Sequence, residues 1–322
     1  VRASLTKYLK TFKKLRIDRS HHGGPAPHKP ILLLSVCQAF EQKLFASTRI
    51  YLSPELVALF KVNWNLLVTT KHDCRITYPF FYMKSEGFWR LVTFPGYSNF
   101  ITANTVIKGF NQLKAIVDYA EIDVDLFLLL TDPASNKILQ QFLLDEYFPS
   151  TKKNIAQYAV EQDKLFDELE GKILNEDAVE YRAEISELLK QNDEEEVYLR
   201  GSMFKREIPK IYNNSCCISG MRIVATANIS MVDACHIVPF SESYDDTITN
   251  GITLCPNLHR AFDRGLIGID GEYRVLVSKG FKEVDSGYGI TRFEGKQILL
   301  PRERKYWPAQ EKLAWHNVHV LN

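Results

Sequence analysis

The segment Val232-Asp233-Ala234-Cys235-His236-Ile237-Val238-Pro239 is followed by Asn250-Gly251-Ile252-Thr253-Leu254-Cys255 and then by His259-Arg260-Ala261-Phe262-Asp263-Arg264-Gly265-Leu266-Ile267. These three stretches decide how the last third of the chain is built. The apolar run Met231–Val238 predicts a strand that Pro239 ends, since proline cannot continue a hydrogen-bonded ladder. Asn250-Gly251 predicts a turn into a second strand. His259 and Asp263 stand four apart on the helix that follows, so they project from one face and can share a cation. By the two-residue period of a strand, Asp233 points to the same side as Cys235. A neutral imidazole at His236 is able to take a proton near pH 7.

This combination resembles the HNH nuclease motif over roughly residues 200–280, with His236, Asn250 and His259 supplying the three letters. The resemblance implies a ββα-metal fold that hydrolyses phosphodiesters. In that reading the catalytic set is His236, Asn250 and His259: His236 is the general base, Asn250 braces the loop that orients it, and His259 and Asp263 hold a divalent ion. Mg²⁺ or Mn²⁺ is the expected cofactor, with other transition metals compatible. The family's usual acid or histidine before the catalytic histidine is Cys235 here, which leaves the remaining ligand open between Cys235 and Asp233. A hard ion favours Asp233 over a thiolate. Cys216 opens a Cys-x-x-Ser-Gly stretch that resembles the knuckle of many HNH domains, with Ser219 where a second ligand would stand. Without paired Cys-x-x-Cys motifs, Cys216, Cys217 and Cys255 are expected to be buried thiols rather than zinc ligands.

Working outward, the 322 residues suggest two domains and a linker, placed at 1–150, 151–200 and 201–322. With 45% hydrophobic and 25% charged residues, the composition excludes a disordered, collagen-like or disulfide-scaffold chain. The formal net charge of +1 would argue against a nucleic-acid partner, but it is an average. Residues 1–30 carry +7, 31–150 carry −1, 151–200 carry −7 and 201–322 carry +2. A basic head, which also holds His21, His22 and His28, is cancelled by an acidic middle. Carboxylates there repel phosphate, so residues 151–200 are expected to be a helical connector rather than a DNA surface. Six irregularly spaced cysteines and no secretory pattern at Val1-Arg2-Ala3-Ser4 predict a reducing cytoplasm. The longest apolar runs are too short for a membrane span.

Toward the N-terminus, Tyr8–Leu15 predicts a basic amphipathic helix, Ile31–Phe40 a helix begun by Pro30, and Ser53-Pro54-Glu55 another helix start. Tyr78–Met83 and Phe88–Val92, separated by Lys84-Ser85-Glu86-Gly87, predict a β-hairpin, and 107–130 and 134–148 predict helices. Pro27-His28-Lys29-Pro30 with Ile76-Thr77-Tyr78-Pro79-Phe80-Phe81-Tyr82 and Gly87-Phe88-Trp89-Arg90-Leu91 looks like the sulfur-binding domain of type IV restriction endonucleases. Those enzymes recognise phosphorothioate DNA, in which sulfur replaces a non-bridging phosphate oxygen. The resemblance implies that Tyr78, Pro79 and Tyr82 cover the sulfur, that His28 and Lys29 hold flanking phosphates, and that Arg75 or Arg90 reaches a base edge.

The expected protein is therefore α+β and multidomain: an N-terminal α/β sulfur-binding domain, a helical linker and a C-terminal HNH domain. Its expected function is cleavage of phosphorothioate-modified double-stranded DNA in a prokaryotic cytoplasm. One HNH site cuts one strand, so a homodimer is expected. The alternatives are an HNH enzyme that reads another mark, such as a methylated base, or unmodified sequence, and a non-catalytic DNA-binding or antitoxin-like module. The intact His236, Asn250 and His259 set favours catalysis.

Overall fold

The N-terminal stretch forms α1 (Arg2–Lys13), which buries Tyr8 and Phe12 and leaves Lys7, Lys10 and Lys13 exposed, as the helical spacing requires. The computed structural model describes residues 2–19, 24–102, 105–223, 230–284 and 287–321; His21 and His22 of the basic head lie outside them. By its contacts the chain divides into Val1–Phe166 with Asn192–Leu199, and Asp167–Gln191 with Arg200–Asn322.

In the first unit α2 (His28–Glu41) is buried from Lys29 to Phe40, which accounts for its apolar character on every face. A short strand β1 (Arg49–Ile50) precedes α3 (Pro54–Leu67), whose Ser53 accepts from Leu56 N at 3.3 Å and whose Pro54 occupies the first turn. The hairpin expected next is absent. Residues Thr77–Tyr82 form a helix, α4, Met83–Glu86 a 3-10 turn, and only Trp89–Thr93 (β2) is a strand. Two causes are visible. The Glu195 carboxylate accepts from Ile76 N, Thr77 N and Thr77 Oγ1, satisfying amides that a helix start leaves orphaned. Tyr78 and Tyr82, four apart, share the exposed side, while Phe80 and Phe81 are buried, so the run follows helical rather than alternating burial. Gly87, at φ +81°, turns the chain into β2.

The helix expected over 107–130 is also broken. It comprises α5 (Phe110–Ile116), strand β3 (Val117–Ile122) and α6 (Val124–Thr131). β3 is the central strand of an antiparallel sheet of order β1-β3-β2, with Ile50 opposite Ala120 and Trp89 opposite Ile122. Its alternation is short, and an irregularity at Val92/Thr93 shifts the pairing from Tyr119 to Val117, which obscures the two-residue period. α7 (Pro133–Tyr147) follows, capped by Asp132 on Ser135 N at 2.9 Å.

The acidic stretch is helical: α8 (Tyr158–Asn175), α9 (Ala178–Lys190) and the start of α10 (Glu194–Ile211). In the second unit, strands β4 (Asp233–His236) and β5 (Gly251–Leu254) pair antiparallel, with the short helix α11 (Phe240–Ser243) between them. Helix α12 (Pro256–Asp263) follows, then the pair β6 (Ile267–Ile269) and β7 (Val275–Val277), and α13 (Gln310–His319). A Cβ on Gly251 would lie 2.8 Å from the Phe204 ring, so glycine lets α10 close onto β5. The whole is a mixed helix and strand protein. Among the described residues no helix is long and apolar enough to cross a membrane.

Candidate functional site

In the second unit the β4–β5 pair sets His236 opposite Gly251. The imidazole lies flat on the Phe204 ring, centroids 4.0 Å apart at 7°, and its Nε2 meets Asp246 Oδ1 at 2.8 Å. The His236 side chain keeps 22% of its surface exposed, whereas that of Asp246 keeps 2%. Asn250 is fully buried. Its Oδ1 accepts from Val238 N at 3.0 Å, and its Nδ2 donates to Val238 O at 3.0 Å and Asp245 O at 2.9 Å, which ties the loop after His236 back to the start of β5. Lys312 on α13 pairs with buried Asp245 at 2.6 Å from the other side.

Helix α12 carries His259 and Asp263 on one face, with Nε2 of the first 3.5 Å from Oδ2 of the second. Nδ1 of His259 lies 3.4 Å from Asp233 Oδ2. Cys235 Sγ is 3.8 Å from Asp263 Oδ1, and the ligand atoms of Cys235, His259 and Asp263 all lie within 4.8 Å of one another. One thiol, one imidazole and one carboxylate at this spacing fit a divalent transition ion after small side-chain shifts. A histidine gives a metal one nitrogen and commonly donates the other N–H to a carboxylate. Asp233 stands where that second partner belongs. Burial and the Asp263 carboxylate push the Cys235 thiol up, so a cation must displace its proton to gain the thiolate.

Asp246 and Phe204 belong to the site although motif spacing did not single them out. The Asp245-Asp246 pair inside the short loop between His236 and Asn250 was a usable signal, because adjacent acids in a loop bounded by catalytic-type residues need partners once buried. Cys216 accepts from Ser219 N at 3.4 Å. Its thiol is hydrogen-bonded to Cys255, which holds Cys216 below and Cys255 above the usual thiol range.

In the first unit, His28, Lys29, Tyr78, Pro79 and Tyr82 line one cleft of about 760 Å³. Arg16, His72 and Lys84, which the sequence did not single out, line it too. His28 packs 4.7 Å from Trp64 and its Nε2 reaches Asp73 O at 2.9 Å; burial lowers its pKa and keeps the ring neutral. The Lys29 ammonium is paired with Glu86 and donates to Ser85 Oγ at 3.1 Å. Arg75 donates to the carbonyl of Asn192, and Arg90 pairs with Glu121 beside a different cleft.

Residues 216–270 match the family model described as HNH endonuclease, so the chain carries an HNH endonuclease domain. Among solved structures the chain is similar to a modification-dependent TagI restriction endonuclease at 18% identity and a TM-score of 0.27. That match covers 37% of this chain and 38% of the other. No curated protein matches.

Proposed function

We propose that the chain is a metal-dependent DNA endonuclease of the type IV restriction class that selects phosphorothioate-modified duplexes, acting as a homodimer in a prokaryotic cytoplasm. The hydrolytic part rests on one observation: within a segment matching the HNH family, the partly exposed His236 ring stands on the same frame of two paired strands and one helix as the Cys235, His259 and Asp263 donors.

Hydrolysis forms a bond from water oxygen to phosphorus and breaks the bond from phosphorus to the leaving oxygen. His236 takes the water proton. Asp246 holds Nε2, so Nδ1 is the basic nitrogen. Asn250 keeps the following loop in register without touching the reacting atoms. A bound divalent ion supplies charge neutralisation at the leaving oxygen. Cys235, His259 and Asp263 would hold it, with Asp233 orienting His259. A thiolate among the donors widens the choice beyond Mg²⁺ toward Mn²⁺ and softer ions.

For substrate choice, the support is that five residues scattered from His28 to Tyr82 converge on one cleft. Sulfur is more polarisable and less strongly hydrated than the oxygen it replaces. The rings of Tyr78 and Tyr82, with Pro79, therefore lose less by covering it. With Lys29 already paired and His28 held neutral, Arg16 and Lys84 are the better phosphate partners, while Lys29 and His28 shape the wall. Arg75 and Arg90, engaged elsewhere, are assigned no base contact.

Two measurements test this reading. His236→Ala is expected to lower the cleavage rate by about 10²–10⁴-fold; wild-type cleavage by that variant overturns the base assignment. One duplex with and without a single phosphorothioate is expected to differ in affinity, and equal binding overturns the sulfur assignment.

A further inference from the structure

We propose that Tyr181 and Asp246 form a positioning pair for His236, so that helix α9, part of the acidic stretch, sets the orientation of the nuclease base. The inference rests on the nuclease reading above.

Asp246 is buried, and each carboxylate oxygen has its own donor. Oδ1 faces His236 Nε2 at 2.8 Å, and Oδ2 receives the Tyr181 hydroxyl at 3.3 Å. A buried carboxylate is tolerated only when its lone pairs are used, and here the two donors fix its position along one line. The backbone of α10 closes over it, since a Cβ on Gly201 would lie 3.7 Å from Oδ2. Tyr181 is itself fully buried, with the Arg200 guanidinium 5.4 Å from its ring centroid, and Arg200 is anchored to Glu184 at 2.7 Å. Burial and the Asp246 charge push the Tyr181 hydroxyl up, so it stays a donor.

A carboxylate only accepts, so the proton of the neutral imidazole sits on Nε2 and the lone pair on Nδ1. Phe204, stacked at 4.0 Å, fixes the ring plane, and Asp246 fixes the rotation within that plane. Without Tyr181, one oxygen of Asp246 loses its donor and the carboxylate is free to turn away from Nε2.

The test combines rates with a direct view of the ring. Asp246→Asn is expected to lower kcat by at least about tenfold with KM unchanged, because exchanging acid for amide reverses the favoured tautomer. Ring-nitrogen NMR of His236 is expected to show the proton moving from Nε2 to Nδ1. Tyr181→Phe, which removes one hydroxyl, is expected to give a smaller fall in kcat and a mixed tautomer. In a His236→Ala background neither change is expected to lower the rate further.

A wild-type kcat in both variants, an unchanged tautomer, or an equal further loss in the His236→Ala background overturns the proposal. If Asp246→Asn fails to fold, Tyr181→Phe decides alone: wild-type kcat and tautomer overturn it. Failure of the nuclease reading looks different. Then the wild type itself cleaves no DNA, while the tautomer shift is still scored by NMR.

Discussion

The donors from Asp233 to Asp263 sit on two paired strands and the helix that follows, whereas the cleft of the first unit draws on residues 16–18, 26, 28, 29, 72, 78, 79, 82, 84 and 85. In the second unit, spacing along the chain and distance in space nearly coincide. His236 lies opposite Gly251 by strand register, and His259 and Asp263 share a face by helical pitch. In the first unit the site exists only after α2, α4 and the loops around them have packed. The first arrangement should fail when its frame is loosened, and the second when individual wall residues are trimmed.

That contrast can be broken most severely at Asn250. Asn250→Ala leaves Val238 N and Asp245 O without their side-chain partner in a buried loop, and Val238 O with Ser243 Oγ alone, at about 1–3 kcal/mol for each unsatisfied group. A loss of about 2 kcal/mol or more is expected in denaturant unfolding of the second unit; a loss near zero would show that the loop is held by its other ties, such as the Lys312–Asp245 pair and the Ser243 hydroxyl. Next in size, Cys235→Ala is expected to weaken Co²⁺ binding at least about tenfold, the scale set even by outer partners of metal ligands. It should also remove the thiolate-to-cobalt charge-transfer band. A cobalt spectrum with no such band in the wild type would return the third ligand to Asp233.

Tyr78→Ala tests the other side of the comparison. The ring is 42% exposed, so stability is expected to change by less than about 0.5 kcal/mol. The affinity for a phosphorothioate duplex should fall about tenfold, a loss of about 1.4 kcal/mol. An equal fall for the unmodified duplex would make Tyr78 a general DNA contact. The smallest effect is on pH. Burial lowers the His28 pKa, so the folded state holds fewer protons there than the unfolded chain. Its contribution is fully present above the unfolded value of 6.5 and is lost as the pH falls below it toward the folded value. The melting temperature should therefore drop more on acidification in the wild type than in His28→Asn.

Much of the candidate site in the second unit was legible because its residues are local in sequence. His236, Asn250, His259 and Asp263 each follow a turn, strand end or helix period that can be counted. The partners of Asp246 were not legible, since nothing in a loop acid tells which distant hydroxyl or imidazole it will meet. The aromatic run Tyr78–Met83 reads as a strand but forms a helix over Thr77–Tyr82, because that helix is completed by Glu195, a partner outside any local window. β3 was hidden for the opposite reason: a two-residue alternation interrupted by an irregular pairing was swallowed by the helical pattern on either side.

The Glu195 cap has a bearing on how the protein is made. α4 has six residues, too few to hold helical structure alone in water. The carboxylate on its first amides lies 118 positions later in the chain. As the polypeptide leaves the ribosome, Tyr78, Pro79 and Tyr82 emerge long before the residue that organises them. The cleft that would grip DNA can therefore mature only after the acidic helices have been synthesised, by which time most of the connector preceding the HNH segment is already in place.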